Sequence, residues 1–281
     1  MDNSFGGALV ENSYGSCLLI EKDITTIGPR KGDGDPIAAI ARNLQLVYGI
    51  GPITESRLRD EGYATIFDLV QHERWADRAR LVVEALENAD GRALSSCGVP
   101  DMELLTMCSP EEVVFLDIET CGLPSTAALF MVGLLLPGKE GFRLCQLFAS
   151  EYDDEPAVLD EAMARLACAR AIITYNGKSF DIPFIRRRLA YHGQDDRIAA
   201  CIVDLCHPAR RRYRNHLPNC RLSTIEDLIL DHPRVDDVPG SLIPQMYAQF
   251  VRTGDWDIIS PVVFHNELDL LAMASLLPLL A

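Results

Sequence analysis

The spacing of apolar residues changes near residue 111, where strand-length apolar runs begin. Three runs, at 113–119, 129–136 and 142–149, are separated by turns that contain glycine or proline, which predicts three consecutive strands in an antiparallel meander. Helical spacing over 155–169 and a short apolar run at 171–175 then predict a helix and a central strand. This order of elements predicts an α/β domain.

The chain before residue 111 carries shorter patterns. Two apolar runs within 5–30 predict a small β-hairpin that turns near 12–15, and 28–36 is a polar linker rich in glycine and proline. The stretch 44–69 has the pattern of a helix, a Gly-Ile-Gly turn, a second helix that ends at Gly62 and the start of another helix; 76–90 has the pattern of a further helix. We therefore predict four parts: an N-terminal hairpin and linker (1–36), a small helical domain (37–95), a connector (96–110) and the α/β domain (111–281).

The composition is that of an ordinary globular protein, with 48% hydrophobic and 24% charged residues. The uninterrupted apolar stretches, such as 128–136 and 270–281, are shorter than the roughly 18 residues needed to span a bilayer. The N-terminus has no basic region followed by an apolar one, and nine cysteines without a Cys-x-x-Cys pair fit reduced thiols. We therefore expect a cytoplasmic protein without membrane contact.

The cysteines and histidines after residue 200 offer one alternative use, a zinc site. Their spacing matches no common zinc-binding pattern, so this reading stays secondary. The residues concerned are Cys201, Cys206, His207, His216 and Cys220.

A formal net charge of −15 argues against a surface that grips nucleic acid over its whole area. Positive charge is instead concentrated between 207 and 221, a stretch without acidic residues in which Tyr213 lies among arginines. We predict that Arg210, Arg211 and Arg221 bind the backbone of a nucleic-acid substrate. The alternative is an ordinary solvated basic face.

The first strand of the α/β domain ends in two carboxylates. Because side chains alternate along a strand, Asp117 and Glu119 should share one face, while Leu116 and Ile118 point into the opposite layer. Two like charges on one face repel each other unless a cation lies between them, and carboxylate oxygens suit Mg²⁺ or Mn²⁺. The alternative is a strand that runs out into an acidic turn.

Two more acidic residues occur near predicted helix starts. Asp181 follows the central strand, and its simplest role is that of an N-cap. If 265–280 forms one helix, His265 and Asp269 lie one turn apart on the same face. Alternatively, Asn266 caps that helix and Asp269 completes a capping box.

The stretch 44–69 resembles the helix-hairpin-helix family. In such a turn the glycines let the backbone approach a phosphate, and free amides at the start of the second helix point at it. Gly49 and Gly51 are therefore candidate contacts to a nucleic-acid backbone, without sequence readout. A helical hairpin used only for packing or protein contact is the alternative.

Three sequence motifs together resemble the DEDD exonuclease superfamily, and more narrowly its YprB-type ribonuclease H-like exonuclease domain. The motifs are Phe115-Leu-Asp117-Ile-Glu119-Thr120, Tyr175-Asn176-Gly177-x-x-Phe180-Asp181 and His265-Asn266-Glu267-Leu268-Asp269. The resemblance implies a mixed sheet flanked by helices. It also implies that two Mg²⁺ or Mn²⁺ ions are held by Asp117, Glu119, Asp181 and Asp269, that His265 is the general base, and that Asn176 and Phe180 contact substrate. The histidine stands four residues before Asp269, the spacing of the tyrosine branch.

We therefore expect a metal-dependent nuclease, and specifically a 3′-to-5′ exonuclease that acts on single-stranded DNA or RNA or on 3′ ends. Two alternatives remain. One is a nucleic-acid-binding or scaffold protein without turnover, and the other is an endonuclease of the ribonuclease H or resolvase type. Whether an internal bond is cut separates the last alternative from the first expectation.

Overall fold

The computed structural model describes residues 7–25, 34–234 and 237–280. In these residues a mixed sheet has seven strands: β1 Ala8–Asn12, β2 Gly15–Ile24, β3 Val113–Thr120, β4 Leu129–Gly138, β5 Gly141–Phe148, β6 Ala171–Thr174 and β7 Cys201–Asp204. Their order across the sheet is β1-β2-β5-β4-β3-β6-β7. The pairs from β1 to β3 in this order are antiparallel, whereas β3 pairs parallel with β6 and β6 with β7.

Helices cover the sheet and confirm the predicted α/β class. Strand β3 lies inside the sheet and its apolar residues face two cores: Leu116 and Ile118 belong to one core and Phe115 to the other. The helices are α1 Pro36–Ala41, α2 Pro52–Asp60, α3 Ala76–Glu87, α4 Gly91–Ser96, α5 Asp101–Thr106, α6 Glu155–Leu166, α7 Asp181–Tyr191, α8 Cys206–Tyr213, α9 Leu222–Leu228, α10 Ile243–Thr253 and α11 Trp256–Leu280.

The helical part differs from its prediction in three places. A short 3₁₀ turn, Leu44–Leu46, follows α1 where a helix leading to the glycine turn was expected. Another 3₁₀ turn, Asp68–Gln71, replaces the helix predicted to start near 65. The predicted connector contains α5. Helix α4 ends where that connector begins, and the Asp90 side chain caps it by accepting from two backbone amides. Most of the predicted linker lies outside the described residues, and α1 begins at Pro36 within it.

The predicted hairpin is present and extends the main sheet. Strand β2 pairs with β5 from Leu18, opposite Phe148, to Ile24, opposite Phe142. The helices before residue 111 also share a core with the sheet, because Ile40 and Leu94 belong to the same buried cluster as Phe115 and Leu135. The hairpin, the helical segment and the sheet are thus joined by pairing and packing.

Helix α11 is much longer than the apolar runs visible in the sequence. By length and composition alone it could cross a membrane, contrary to the expectation that the chain has no such segment. Half of its most apolar window is buried inside the fold, as in the core helix of a globular protein. It packs against β3 and β4 and carries His265 and Asp269 to the sheet.

Candidate active site

Asp117 and Glu119 lie near the carboxyl end of β3, an interior strand of the sheet. Glu119 is 7% exposed, and within the described part of the chain its carboxylate has no hydrogen-bond or ion-pair partner. Asp117 accepts one hydrogen bond, from Asn266 Nδ2 at 2.8 Å. Two poorly compensated carboxylates therefore share a largely buried position.

Asp181 is the first residue of α7 and is not its N-cap, so the simpler interpretation is wrong. Phe180 stands at the cap position, without a side-chain cap hydrogen bond, and Asp181 is buried. The loop before it is fixed by Asp204, whose oxygens accept from the backbone N–H groups of Asn176 at 2.8 Å and Lys178 at 3.1 Å. Asn176 has a positive φ of 66°. This strained loop brings α7 back onto the end of β3.

His265 and Asp269 lie one turn apart on α11, as the spacing predicts. His265 Nε2 is 3.5 Å from Asp269 Oδ2, and its Nδ1 is 2.7 Å from Asp237 Oδ1. Both ring nitrogens therefore face carboxylates, and Nδ1 also lies 3.4 Å from Arg234 Nη1. The ring is thus held by contacts at Nδ1, with Nε2 towards Asp269.

Asn266 does not cap a helix, because α11 begins ten residues earlier, at Trp256. Its side chain is fully buried: Nδ2 donates to Asp117, and Oδ1 accepts from Gln146 Nε2 at 3.0 Å. Gln146 also donates to Val263 O at 2.7 Å. The amide therefore positions Asp117 and ties α11 to the sheet.

The Asn266 side chain lies over Gly133 of β4. Gly133 pairs with Asp117 of β3 on one side and with Gln146 of β5 on the other. A Cβ at Gly133 would lie 2.7 Å from Asn266 Cγ, closer than real contacts allow. Glycine is required here because the helix side chain reaches the strand backbone.

We expect Gly133→Ala to lower the free energy of unfolding by about 1–3 kcal/mol, the usual cost of overpacking a buried site. Strand β4 is paired on both sides and cannot retreat, so Asn266 must move and lose its hydrogen bonds. Urea unfolding measures the loss. Gly240→Ala is the control, since its Cβ would meet nothing within 4 Å. Equal stability of the two variants would contradict the described contact.

The buried carboxylates repel one another. Burial first, and then Asp269, Glu119 and Asp181, raise the pKa of Asp117 well above its usual value. Burial, Asp269 and Asp181 likewise raise the pKa of Glu119. Burial raises the pKa of Asp181 to about 7, although hydrogen bonds from backbone N–H groups lower it in part. These three carboxylates and Asp269 are thus close enough to interact strongly, and their charge favours a cation.

The metal-free protein should lose stability as pH rises from about 4 through about 7. Native Asp181, with its pKa raised to about 7 from 3.8, holds a proton there that the unfolded chain releases. Asp181→Asn removes this titration, so its melting temperature in EDTA should exceed that of the unaltered chain by several degrees at pH 8 and by less at pH 5. Asp160→Asn, in an ion pair on α6, is the control. An Asp181→Asn advantage that is the same at both pH values would refute the argument.

Arg234 belongs to the site but carries no signal in the sequence. Its side chain is 6% exposed and forms ion pairs with Glu226, Asp237 and Asp269. It stands in an aperiodic polar loop between α9 and α10, so neither strand nor helix spacing points to it. Asp237 lies in the same loop and was missed for the same reason, whereas Glu226, which was also missed, lies on α9.

The carboxylates suit a divalent metal by their chemistry. Oxygen donors that are buried, mutually repelling and poorly hydrogen-bonded are stabilised by a hard cation such as Mg²⁺ or Mn²⁺. In the described ranges, however, no three His, Cys, Asp or Glu side chains are arranged to hold a metal ion. Asp269 is paired with Arg234 instead. The absence of such a group among the described residues also gives no support to the predicted zinc alternative at 201–220.

The remaining predicted residues lie on two surfaces. Arg210, Arg211 and Arg221 are exposed on and after α8, and none of them forms an ion pair with an acid in the described residues. This segment is joined to the loop between β6 and α7, because Tyr175 Oη of that loop donates to Cys220 O at 2.5 Å. Phe180 is half-buried, with its ring centroid 5.5 Å from that of Phe184.

The glycine turn before α2 has the expected backbone form. Gly49 has a positive φ of 93° and packs beside Trp75 and Arg78. Gly51 is the N-cap of α2 and offers no side chain to its amides. The turn belongs to the helical segment, whereas the carboxylates stand on β3, α7 and α11; its contact with nucleic acid stays a prediction.

The mixed sheet with helices on its faces is a ribonuclease H-like fold. A family model of the RNase H superfamily matches residues 114–281, more than half of the chain, and the chain belongs to that superfamily. It is 30% identical over 168 residues to the uncharacterized protein YprB of Bacillus subtilis (strain 168), a match that covers 58% of this chain and 40% of that protein. It is also similar, with a TM-score of 0.49 and 17% identity, to the family B DNA polymerase of Pyrobaculum calidifontis, over 60% of this chain and 24% of the polymerase.

Proposed function

We propose that this protein is a divalent-metal-dependent 3′-to-5′ exonuclease. The observation that carries the proposal is the cluster of Asp117, Glu119, Asp181 and Asp269, whose charges are only partly compensated in the metal-free fold. Membership of the RNase H superfamily supports hydrolysis of phosphodiester bonds. The resemblance of the three motifs to DEDD exonucleases supports the 3′-to-5′ direction.

Each residue of the site has a distinct part in the proposed reaction. The four carboxylates would hold two Mg²⁺ or Mn²⁺ ions, which supply charge that activates a water and stabilises the leaving oxygen. His265, held by Asp237 at Nδ1 with Nε2 beside Asp269, accepts the proton of the attacking water through Nε2. Asn266 keeps Asp117 oriented, and Asp204 keeps the loop before Asp181 in place.

The test uses oligonucleotides of DNA and RNA, each labelled at the 3′ or the 5′ end, with Mg²⁺, Mn²⁺ or EDTA. Removal from the 3′ end releases a 3′ label at once as a mononucleotide and shortens 5′-labelled strands step by step. EDTA should stop both. Internal fragments as first products would replace the proposal by an endonuclease, and an absence of cleavage with every metal would leave a binding protein.

We expect the basic stretch to hold the substrate backbone. Replacing both Arg210 and Arg211 by Gln should weaken binding of a single-stranded oligonucleotide about tenfold, because two exposed cations without acidic partners are lost. The slope of log Kd against the logarithm of the salt concentration should decrease by about 0.7 for each phosphate contact that is lost. Fluorescence anisotropy at several salt concentrations measures both.

The control is the double variant Arg197→Gln with Arg252→Gln. It also removes two positive charges, one from the segment before β7 (Arg197) and one from α10 (Arg252). If this control weakens binding equally, the effect is one of net charge and the basic stretch has no special role.

A further inference from the structure

Arg234 is the most heavily paired cation near the carboxylates. Its three guanidinium nitrogens each face a different acid: Nε lies 2.5 Å from Glu226 Oε2, Nη1 lies 3.0 Å from Asp237 Oδ2, and Nη2 donates to Asp269 Oδ1. The side chain is 6% exposed. Although burial opposes it, Asp269 and the other acids raise the pKa of Arg234, so it carries its charge. The guanidinium is thus fixed at the edge of the site.

Only one of these three acids is a predicted metal ligand. Asp269 contributes to the raised pKa of Asp117 and of Glu119, so it lies within the repelling cluster. Glu226 and Asp237 approach Arg234 from α9 and from the loop before α10, outside the four predicted ligands. If Asp269 binds another cation, Arg234 keeps its ion pairs with Glu226 and Asp237 and stays in place.

A divalent ion held by the carboxylates would compete with Arg234 for Asp269, because it would carry twice the charge of the guanidinium. If Asp269 turned to such an ion, the Nη2 donors of Arg234 would lose their partner, while Glu226 and Asp237 would still hold the guanidinium. An unpaired, buried guanidinium donor needs an anionic acceptor, and phosphate oxygens fit its geometry.

We propose that Arg234 is a substrate-phosphate donor of this site, held on Asp269 until a divalent cation takes that carboxylate. The inference rests on the proposed nuclease function and deepens it. Metal binding would thereby prepare the site for the phosphate of a nucleic acid, because the same exchange frees the donor. Glu226 acts on substrate only through Arg234 and is a positioning residue.

The experiment measures Mn²⁺ binding and turnover separately in the full chain. The electron paramagnetic resonance signal of free Mn²⁺ gives metal affinity without substrate, and steady-state kinetics at saturating Mn²⁺ gives KM and kcat on a single-stranded oligonucleotide. Arg234→Gln should bind Mn²⁺ about tenfold more tightly, because a competing positive charge is gone. Its KM should rise about tenfold, because a phosphate contact is lost. Arg165→Gln, in an ion pair with Glu161 on α6, should change neither.

The outcomes separate this inference from the function on which it rests. If the unaltered chain binds no Mn²⁺, both the nuclease proposal and the inference fall. If it binds Mn²⁺ and cleaves, but Arg234→Gln shows unchanged or weaker Mn²⁺ binding, or an unchanged KM, the inference alone is overturned.

Should Arg234→Gln fail to fold, the unaltered chain tests the exchange by nuclear magnetic resonance. The guanidinium protons of Arg234, assigned by their loss in Arg234→Lys, should shift as Mg²⁺ is added, with the midpoint of metal binding. Resonances that stay fixed while the metal binds would overturn the inference.

Discussion

Asp117→Ala or Asp181→Asn is expected to abolish phosphodiester hydrolysis while the protein stays folded. Each change removes a carboxylate from a cluster that repulsion and burial already disfavour, so metal binding is lost and the metal-free fold is not weakened by the missing charge. The rate with Mg²⁺ or Mn²⁺ should fall by on the order of 10³-fold or more, the scale expected when charge stabilisation at a reaction centre is removed. Gel analysis of labelled oligonucleotides measures the rate, and circular dichroism checks the fold.

Asp160→Asn is the matched control, because it removes a carboxylate on α6 that pairs with Arg197 away from the cluster. It should keep full activity. If folded Asp117→Ala or Asp181→Asn cleaves as fast as the active control, the assignment of these residues to a metal site is wrong.

His265→Ala is expected to lower the rate by about 10²- to 10⁴-fold, typical of a missing general base, with little change in metal affinity. The change removes a proton acceptor and no predicted metal ligand, so the loss should appear in kcat at saturating metal and not in the metal concentration that gives half the maximal rate. Steady-state rates over a range of metal concentrations measure both effects. His192→Ala removes another carboxylate-paired histidine, beside Glu155, and should change neither.

His265→Tyr tests the position itself, since the four-residue spacing to Asp269 is that of the tyrosine branch. Recovery of much of the lost rate would identify the position as that of the base. Full activity of His265→Ala would instead reduce His265 to a partner of Asp237.

The strands and the acidic residues were predictable because their signals are local. Apolar runs predicted β3, β4 and β5 within a few residues, and alternation correctly placed Leu116 and Ile118 together in one core. Composition, in contrast, predicted a connector at 96–110, where helix α5 lies. A helix of six residues without a side-chain cap leaves little local signal.

The parts that escaped prediction depend on contacts between distant segments. Asn266 has the sequence context of a helix cap, and only the start of α11 at Trp256 reveals it as the buried amide over Gly133. Arg234 stands in an aperiodic loop, where nothing local distinguishes a buried guanidinium from a solvated one. The pairing of β2 with β5 joins residues more than a hundred positions apart.

The shared core of the helical segment and the sheet makes the stability of the acidic centre a property of the whole chain. Phe115 and Leu135 are fully buried in a cluster that Ile40 and Leu94 complete from the other side. Removing that cover would expose strand β3 just before Asp117, so the two regions should melt in one cooperative transition. Heat tolerance of the reaction is therefore open to tuning by core substitutions in α1 and α4, without any change to the residues that would meet the nucleic acid.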